Sequence, residues 1–354
     1  MRRILAAAVA GGALLLAGCS SAASTGGTAA GGTPSASSQG TTSAPAAAPV
    51  TVRLGFLENV THASALVGIK EGFFTKALGS AGTLQTTPFS TGTEEATALL
   101  AGQLDVAYVG PNPAISAFQK SNGTAIKIIS GAATGGASII VKAGITSASQ
   151  LKGQSLATPS LGNTQDVALR YWLQQNGLKT TTTGGGDVYI KPTTPNSAAV
   201  LEFKSGQIAG GSEPAPYDVE MVSDGGHVLL SEPGVTTVMI VTQSFLAAHP
   251  AVVADLLKAQ IQANDFIKSN TAAAEADVNA ELTSLTGKPL KASVLAASFK
   301  EITFTDDPDT ASFTADAQQA TSLGLLKSAS LTGIFDLTPL NTALAAAGEA
   351  QVSS

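Results

Sequence analysis

Four short segments of the sequence carry small polar residues of the kind that bind anions without a charged side chain. They read Asn59-Val60-Thr61-His62, Ser90-Thr91-Gly92-Thr93, Gly110-Pro111-Asn112-Pro113 and Leu161-Gly162-Asn163-Thr164. Each follows a strand-like stretch and precedes a segment with helical spacing, which predicts a strand-to-helix turn. Free N–H groups and the positive dipole end of a helix N-terminus attract anions. The four turns therefore predict an anion site made of neutral donors.

The residues expected to contact a ligand come mainly from these turns. They are Asn59, Thr61, His62, Gly92, Thr93, Asn112, Gly136, Ser138, Gly162, Asn163, Thr164, Gln165 and Glu213. Ser, Thr and Asn are also ordinary helix caps, and this reading stays open for any single turn. His62 could hydrogen-bond or charge-pair with an anion, or cap the helix that follows it. Lys152 and Arg170 are expected to face away from the fourth turn.

Metal binding and catalysis find little support in the residue types. Cys19 is the only cysteine, which excludes an internal disulfide and a thiolate metal cluster. The histidines His62, His227 and His249 are too far apart for a transition-metal site at any usual ligand spacing. The Gly-x-Ser-x-Gly pattern of a nucleophile elbow is absent. We expect no metal, no cofactor and no enzymatic activity.

Composition narrows the class of partner. The chain has 354 residues, of which 44% are hydrophobic and only 12% charged, and this length is more than one domain usually needs. Its 19 basic residues are spread along the chain and are outnumbered by 25 acidic ones. Because nucleic-acid binding needs clustered Lys and Arg, we expect no nucleic-acid partner.

The first 49 residues are predicted to be an export signal and a tether. Arg2 and Arg3 precede the apolar run Ile4–Leu16, which fits a secretory signal and is too short to span a bilayer. The run ends in LAGC, which resembles the lipobox of bacterial lipoproteins and implies acylation of Cys19; an ordinary signal peptide with an incidental cysteine is the alternative. Cleavage after residue 18 would remove two arginines and change the formal charge from −6 to −8. Residues 19–49 have the composition of a disordered linker.

From Val50 onward the sequence alternates between strand-like and helix-like segments. Val50–Glu58 is a predicted strand, a helix is predicted from about His62 to Leu78, and the alternation continues to the strand ASIIVK. A second series of the same kind begins near Thr146 and ends with the strand HVLLS. Such alternation predicts βαβ units and parallel sheets covered on both faces.

The two series predict two α/β lobes. Residues 50–140 form the first part of lobe 1, residues 141–241 form lobe 2, and the helical segment 242–354 returns to complete lobe 1. The chain would then cross between lobes near Ile140 and Val241. Two open, mostly parallel sheets that face each other leave a cleft at the carboxyl ends of their strands, which is where ligands bind.

Three long segments resemble the solute-binding proteins of bacterial ABC importers for aliphatic sulfonates, nitrate, taurine and thiamine-related pyrimidines. They are LGFLENVTHASALVGIKEGFF (54–74), LLAGQLDVAYVGPNPAI (99–115) and LKGQSLATPSLGNTQDVALRYWLQQNGL (151–178). The resemblance covers nearly all of residues 50–340 and is closest to the sulfonate branch. It implies a two-lobed, type II periplasmic-binding-protein-like fold. It also implies an extracytoplasmic, lipid-anchored monomer that captures a small anion, such as an aliphatic sulfonate or taurine, for a permease and ATPase.

The resemblance also bears on individual residues. A histidine at the position of His62 commonly faces the cleft in this family, which implies ligand contact. The segment GGSEPAPYDVEM at 210–221 departs from the family, because Gly211 and Ser212 replace a bulky aromatic wall; this predicts a larger or differently shaped ligand. Nitrate, a pyrimidine or thiamine precursor, a flavin-like ligand, and a role as a solute sensor remain alternatives.

Overall fold

The computed structural model describes residues 49–353; the predicted signal peptide, Cys19 and all but the last residue of the predicted linker lie outside them. The strands are β1 (Val50–Leu57), β2 (Gly82–Phe89), β3 (Val106–Val109), β4 (Ile126–Gly135), β5 (Ala137–Lys142), β6 (Ser155–Thr158), β7 (Tyr189–Pro192), β8 (Gly210–Pro214), β9 (Gly226–Ser231), β10 (Val235–Thr242) and β11 (Ile302–Phe304). The helices are α1 (Ala63–Lys70), α2 (Phe73–Leu78), α3 (Gly92–Leu100), α4 (Pro111–Lys120), α5 (Thr164–Gln175), α6 (Asn196–Ser205), α7 (Tyr217–Ser223), α8 (Gln243–Ala248), α9 (Pro250–Ser269), α10 (Thr271–Thr286), α11 (Ala292–Glu301), α12 (Thr310–Ser322) and α13 (Thr338–Ala347). Within residues 49–353, none of these helices is both long and apolar enough to span a bilayer.

Lobe 1 is built on a six-stranded sheet in the order β11-β4-β10-β3-β1-β2. Strand β1 pairs in parallel with β2 and β3, whereas β10 runs antiparallel to β3 and β4. Helices α1, α2, α9, α10 and α13 bury their apolar residues in the core on one face. Helices α4 and α12 and the end of α3 do so on the other face. Both faces of the sheet are therefore covered, as the alternating pattern predicts.

Lobe 2 is built on a five-stranded sheet in the order β7-β6-β8-β5-β9. Strand β6 pairs in parallel with β7 and β8, and β5 runs antiparallel to β8 and β9. Helix α5 packs on one face through Leu169 and Leu173. Helices α6 and α7 pack on the other face through Phe203 and Met221.

The two-lobed α/β prediction is confirmed, but both sheets are mixed rather than mostly parallel. The βαβ strands of each lobe are parallel and end at the cleft. A strand that arrives from the other lobe starts at the cleft and must run away from it. This explains why β5 in lobe 2 and β10 in lobe 1 run opposite to their neighbours β8 and β3.

The strands locate the two crossings several residues before the predicted ones. Strand β4 lies in the larger sheet and β5 in the smaller, with only Gly136 between them; the return runs through residues 232–234, between β9 and β10. The predicted crossings near Ile140 and Val241 are therefore wrong, since each lies inside an apolar strand already buried in the lobe that it enters. Gly135 and Gly136 have φ values of 72° and 71°, a left-handed conformation that favours glycine and lets the chain turn sharply.

The predicted helix from His62 to Leu78 is interrupted. A 3-10 turn at Val60–His62 leads into α1, and α2 begins only after Gly72, which has a φ of 70°. The 3-10 turn between β1 and α1 thus buries Asn59, Thr61 and His62 at the end of β1.

Candidate functional site

A small cavity lies where the carboxyl ends of parallel strands from both lobes meet, and we call it the cleft cavity. Its lining residues are Leu57, Asn59, Thr61, His62, Ser90, Thr91, Gly92, Gly110, Pro113, Pro159, Asn163, Thr164, Gln165, Asn196, Pro214 and Thr236. Its volume is about 20 Å³, which is room for roughly one water molecule. None of these lining residues is Lys, Arg, Asp or Glu. The wall is therefore polar, and the imidazole of His62 is its only titratable side chain.

The lobes are closed over this cavity. The hydroxyls of Thr93 in lobe 1 and Ser160 in lobe 2 lie 2.8 Å apart and share a hydrogen bond. The Tyr217 hydroxyl donates to the Glu58 carbonyl at 3.0 Å, and the Val60 N–H donates to the Ala215 carbonyl at 2.9 Å. A ligand larger than the cavity can enter only if these contacts between the lobes open.

His62 is fully buried in the wall and is neutral. Burial lowers the pKa of its ring from 6.5 to about 3. The Leu57 N–H donates to its Nδ1 at 3.1 Å, which places the proton of the neutral ring on Nε2. The side chain makes no capping bond to α1. His62 can therefore donate a hydrogen bond to a ligand, but near neutral pH it offers no positive charge to the anion.

Asn59 and Thr61 are held beside it by a hydrogen bond of their own. The Thr61 hydroxyl donates to Asn59 Oδ1 at 2.8 Å, and both residues are buried. Because the amide oxygen is already used, the group that Asn59 can offer to a ligand is its NH₂ donor. The first turn thus presents donors, which suits an anion.

The second turn presents backbone donors at the start of α3. The Thr91 hydroxyl accepts the Glu94 N–H at 3.3 Å and caps the helix. The N–H groups of Gly92 and Thr93 precede the first bond within the helix and have no helical partner. A Cβ on Gly92 would lie 2.9 Å from Pro113 Cγ, so glycine lets the start of α3 pack closely against Pro113 of α4.

The third turn has few backbone donors and lies against lobe 2. Helix α4 begins Pro111-Asn112-Pro113, and proline has no N–H group. Gly110 faces lobe 2, where a Cβ on it would lie 2.6 Å from Thr164 Oγ1. Between the two prolines only the Asn112 N–H remains as a backbone donor, so this turn offers fewer donors than the others. Gly110 also lets the lobes approach each other closely.

The fourth turn offers the hydroxyl of Thr164, the first residue of α5. This oxygen is buried and has no hydrogen-bond partner among residues 49–353. Asn163 caps the helix by accepting the Asp166 N–H at 2.9 Å, and its NH₂ group donates to Gln165 Oε1 at 2.9 Å. The unpartnered Thr164 hydroxyl and the N–H groups at the start of α5 are the donors that this turn has to offer a ligand.

A buried ion pair fixes this fourth turn from behind. The Asp166 carboxylate accepts from the Thr158 hydroxyl at 3.0 Å and from the Gly162 N–H at 2.9 Å. Arg170 Nε donates to the same carboxylate at 2.8 Å, with side-chain exposures of 3% for Arg170 and 0% for Asp166. Arg170 does not line the cleft cavity. It holds the fourth turn in position through its bond to Asp166.

The sequence-predicted site residues fall into three groups. Those in the cleft cavity are Asn59, Thr61, His62, Gly92, Asn163, Thr164 and Gln165. Those that line a neighbouring cavity are Thr93, Asn112 and Gly162. Gly136, Ser138 and Glu213 line neither of the two cavities.

The last group lies behind the lining of the cleft cavity for a topological reason. Gly136 forms the crossing between lobes, and Ser138 pairs with Glu213 across β5 and β8 inside lobe 2. Glu213 is fully buried, and burial together with Asp218 and Glu232 raises the pKa of its carboxyl well above 4.5. Glu213 lies in β8 next to Pro214, which lines the cleft cavity, but does not line it itself. Gly211 and Ser212 are likewise buried in β8 and do not widen the cleft cavity.

Two polar lining residues, Asn196 and Thr236, were not predicted from the sequence, for different reasons. Asn196 opens α6 directly after β7, so it belongs to a fifth strand-to-helix turn that the same pattern could have revealed. Thr236 lies inside β10, and a strand interior gives no local sign that it faces a ligand. Metal binding gains no new support, because residues 49–353 contain no group of three or more His, Cys, Asp or Glu side chains that could hold an ion.

Several solved structures share this architecture. The alkanesulfonate-binding protein SsuA from Xanthomonas axonopodis pv. citri, bound to MOPS, has 17% identity and a TM-score of 0.68, over 83% of this chain and 100% of the other. The nitrate-binding protein NrtA from Synechocystis has 16% identity and a TM-score of 0.67, over 84% and 89%. The ligand-binding component of an ABC-type import system from Staphylococcus aureus has 14% identity and a TM-score of 0.68, over 83% and 99%. At these identities the likeness establishes the fold.

A family model gives the evidence from sequence. No curated protein matches the chain. The model of the NMT1-like family matches residues 45–282, which cover all of lobe 2 and most of lobe 1. Because this match extends over more than half of the sequence, the chain belongs to the NMT1-like family.

Proposed function

We propose that this protein is the extracytoplasmic solute-binding component of an ABC importer and that it captures a small oxyanion such as an aliphatic sulfonate or taurine. The observation that carries the proposal is the cleft cavity, in which two lobes present hydrogen-bond donors around a space lined by no acidic side chain. Structural neighbours that bind alkanesulfonate and nitrate support the same class of ligand.

The wall is suited to an anion because its free groups are donors. His62, Asn59 and Thr164 line the cleft cavity together with Gly92 and Gln165, at the N-termini of α3 and α5. Hydrogen bonds from neutral donors to a charged acceptor are about twice as strong as those between neutral groups. A cavity closed to water increases their effect further, since the local dielectric constant is low.

Closure of the lobes supplies the signal that an importer needs. A ligand that contacts turns of both lobes binds the closed form more tightly than the open form and shifts the population toward it. The permease and ATPase would then recognise the closed, loaded receptor. Because the closed cavity is small, a sulfonate would occupy it with its head group and push the lobes slightly apart around its carbon chain.

Calorimetric titration of residues 49–354 with matched ligands tests the proposal. Ethanesulfonate, taurine and nitrate are compared with dimethyl sulfone, which keeps the sulfonyl oxygens and lacks the charge. We expect binding of at least one of the three ions and none of the sulfone. Binding of the neutral sulfone alone, or of none of the four compounds, would reject an oxyanion receptor. Tighter binding of nitrate than of either sulfonate would favour the nitrate alternative.

Lipid anchoring through Cys19 is a separate part of the proposal. It is supported by the sequence LAGC and by the linker composition that follows it. Expression of the full chain in a bacterium, with Cys19→Ser and Ser20→Ala as matched variants, followed by fractionation and fatty-acid labelling, tests it. Only Cys19→Ser should lose the label and leave the membrane fraction. Equal labelling of both variants would reject the anchor and leave the ligand proposal intact.

A further inference from the structure

A larger cavity lies beside the second crossing between the lobes, and we call it the hinge cavity. Its volume is about 410 Å³. Its wall is formed by α5 of lobe 2, by the crossing at 232–234 with the start of β10, and by α12 of lobe 1. Thr164 and Thr236 line both this cavity and the cleft cavity, so the two spaces adjoin.

The hinge cavity differs from the cleft cavity in charge. Glu232 lines it from the crossing and Asp316 from α12, and none of its lining residues is Lys, Arg or His. In the part of the chain that the structure describes, no basic side chain forms an ion pair with either carboxyl. Burial raises the pKa of Glu232 to about 7, and burial together with Glu232 raises the pKa of Asp316. The two acids therefore lie close together without a counterion.

Each of the two carboxyls keeps one oxygen that a ligand can reach. The Ser212 hydroxyl donates to Glu232 Oε1, and Asp316 Oδ2 is buried. Glu232 Oε2 and Asp316 Oδ1 retain accessible surface and have no hydrogen-bond partner among residues 49–353. The Val235 N–H donates to Ser312 Oγ at 3.0 Å, which ties the crossing to α12 and keeps the two acids on neighbouring walls.

Helix α5 adds aromatic surface to this cavity through Tyr171 and Trp172, which are both partly exposed. Aromatic rings and carboxylates together favour organic ammonium ions, which are large and bind to aromatic faces. A metal ion is a poorer match, because Ca²⁺ takes about six to eight oxygen ligands. Residues 49–353 contain no group of three or more His, Cys, Asp or Glu side chains that could supply them.

We propose that the hinge cavity binds an organic ammonium group, whose charge lies against the carboxyls of Glu232 and Asp316. Its carbon substituents lie against Tyr171 and Trp172. Such a group has two sources: it belongs to a separate cation, or it is the far end of the cleft ligand, which is then a zwitterion. The second source rests on the proposed function, whereas the first does not.

Two matched pairs of probes test the site by calorimetry on residues 49–354. Choline is compared with 3,3-dimethylbutan-1-ol, and 3-(trimethylammonio)propane-1-sulfonate is compared with 3-(trimethylsilyl)propane-1-sulfonate. Within each pair the shape is similar and only one compound carries the positive charge. We expect the charged compound to bind more tightly in at least one pair, by about 5- to 30-fold.

The two pairs also separate the sources of the ammonium group. A preference in the sulfonate pair identifies the far end of the cleft ligand, and a preference in the choline pair alone identifies a separate cation. If neither pair prefers the cation, the proposal is overturned. Binding of the silyl sulfonate without that preference rejects the ammonium site and leaves the oxyanion receptor intact.

Two variants locate the site. Glu232→Gln keeps an oxygen that can accept from Ser212, and Asp316→Asn removes the charge on α12. Each should reduce the preference for the cation by about fivefold or more, whereas Glu275→Gln on α10, outside the cavity, should leave it unchanged. If both variants fail to fold, Ala315→Trp decides, because it fills the cavity from an exposed position. A preference of unchanged size in the folded variants means that the cation binds elsewhere and rejects the site.

Discussion

The two lobes hold their cleft turns by different means. In lobe 1 the turns are fixed by neutral hydrogen bonds, from the Leu57 N–H to His62 and from the Glu94 N–H to Thr91. In lobe 2 the turn that carries Thr164 is fixed by a buried ion pair between Asp166 and Arg170. The residues that line the cavity are neutral in both lobes. The residues that support them are neutral in lobe 1 and charged in lobe 2.

This difference separates two roles of a charged side chain, which are contact with the anion and positioning of the donors. A charge inside the cavity would bind an anion directly and would also attract other anions. A charge one layer behind it positions the donors without offering a contact. The two kinds of support also differ in their contribution to the free energy of unfolding. A neutral hydrogen bond contributes about 0.5–1.5 kcal/mol, whereas breaking a buried ion pair costs about 3–5 kcal/mol. Lobe 2 should therefore be the more fragile side of the site.

The largest expected effect follows from breaking this ion pair. Arg170→Met leaves the Asp166 carboxylate buried without its counterion, so we expect a loss of about 3–5 kcal/mol in the free energy of unfolding. The double variant Asp166→Asn, Arg170→Met should recover part of this loss, because no buried charge remains. Urea denaturation of both proteins measures the two values.

Lys152→Met is the matched control. Lys152 pairs with Asp187 at 3.9 Å, and its side chain is 66% exposed, so its loss should change the free energy of unfolding by only about 0–1 kcal/mol. Equal effects of Arg170→Met and Lys152→Met would show that the ion pair does not support the turn, and the contrast between the lobes would disappear.

The next largest effect concerns the donor that this turn carries. Thr164→Val removes a buried hydroxyl and keeps the shape of the side chain, so the loss of one hydrogen bond to a charged acceptor, about 1.5–3 kcal/mol, should raise the Kd for the bound oxyanion by about ten- to a hundredfold. Thr164→Ser restores the hydroxyl and should recover most of the affinity. Calorimetry on the three proteins gives the values; equal Kd for all of them would remove Thr164 from the site.

Much of this arrangement follows from the sequence, because strand-to-helix turns have local signatures. The patterns around Gly92 and Asn163 predict both the helix starts and their position at the cleft. The direction of β5 and β10 could not be read in this way, since it depends on which lobe a strand enters from. The spacing of Asp166 and Arg170, four residues apart on a predicted helix, favours an ion pair, but only the fold shows that the pair is buried and supports the turn.

Two groups of predicted site residues do not line the cleft cavity, and in both groups the direction of single side chains explains this. Asn112 and Thr93 lie on the predicted turns, but a helix turns by about 100° per residue, so neighbours on one turn face different cavities. Glu213 was selected from the segment 210–221, which matches the family only in part, and its burial in the sheet is visible only from the pairing of β5 with β8. Sequence patterns locate turns well, and they locate the direction of a single side chain poorly.

A third prediction concerns pH and the support in lobe 1. The pKa of His62 falls to about 3 in the fold, below the 6.5 of an unfolded chain, so its contribution is complete above about pH 6.5 and is lost as the pH falls. Between pH 6.5 and about pH 5 this loss amounts to about 2 kcal/mol. The raised pKa of Glu95 and Glu213 acts in the opposite direction, but in all variants alike.

Comparison with His62→Gln isolates the histidine. The difference in free energy of unfolding between the parent chain and His62→Gln should shrink by about 2 kcal/mol from about pH 7.5 to about pH 5. His227→Gln, on β9, is the control for removal of a histidine elsewhere. A difference that stays constant over this range would mean that the pKa of His62 is the same in the folded and the unfolded chain, and one that grows as the pH falls would mean that folding raises it.

The central claim is that neutral donors hold the anion, and the pH dependence of its affinity tests this most directly. Titration with the oxyanion that binds, at about pH 8 and about pH 6, should give the same Kd, because His62 stays neutral in the free and in the loaded protein. If the anion instead draws a proton onto His62, binding is linked to uptake of one proton and the Kd should fall about tenfold for each unit of decreasing pH. An unchanged Kd supports the neutral site, and a tenfold change per pH unit contradicts it.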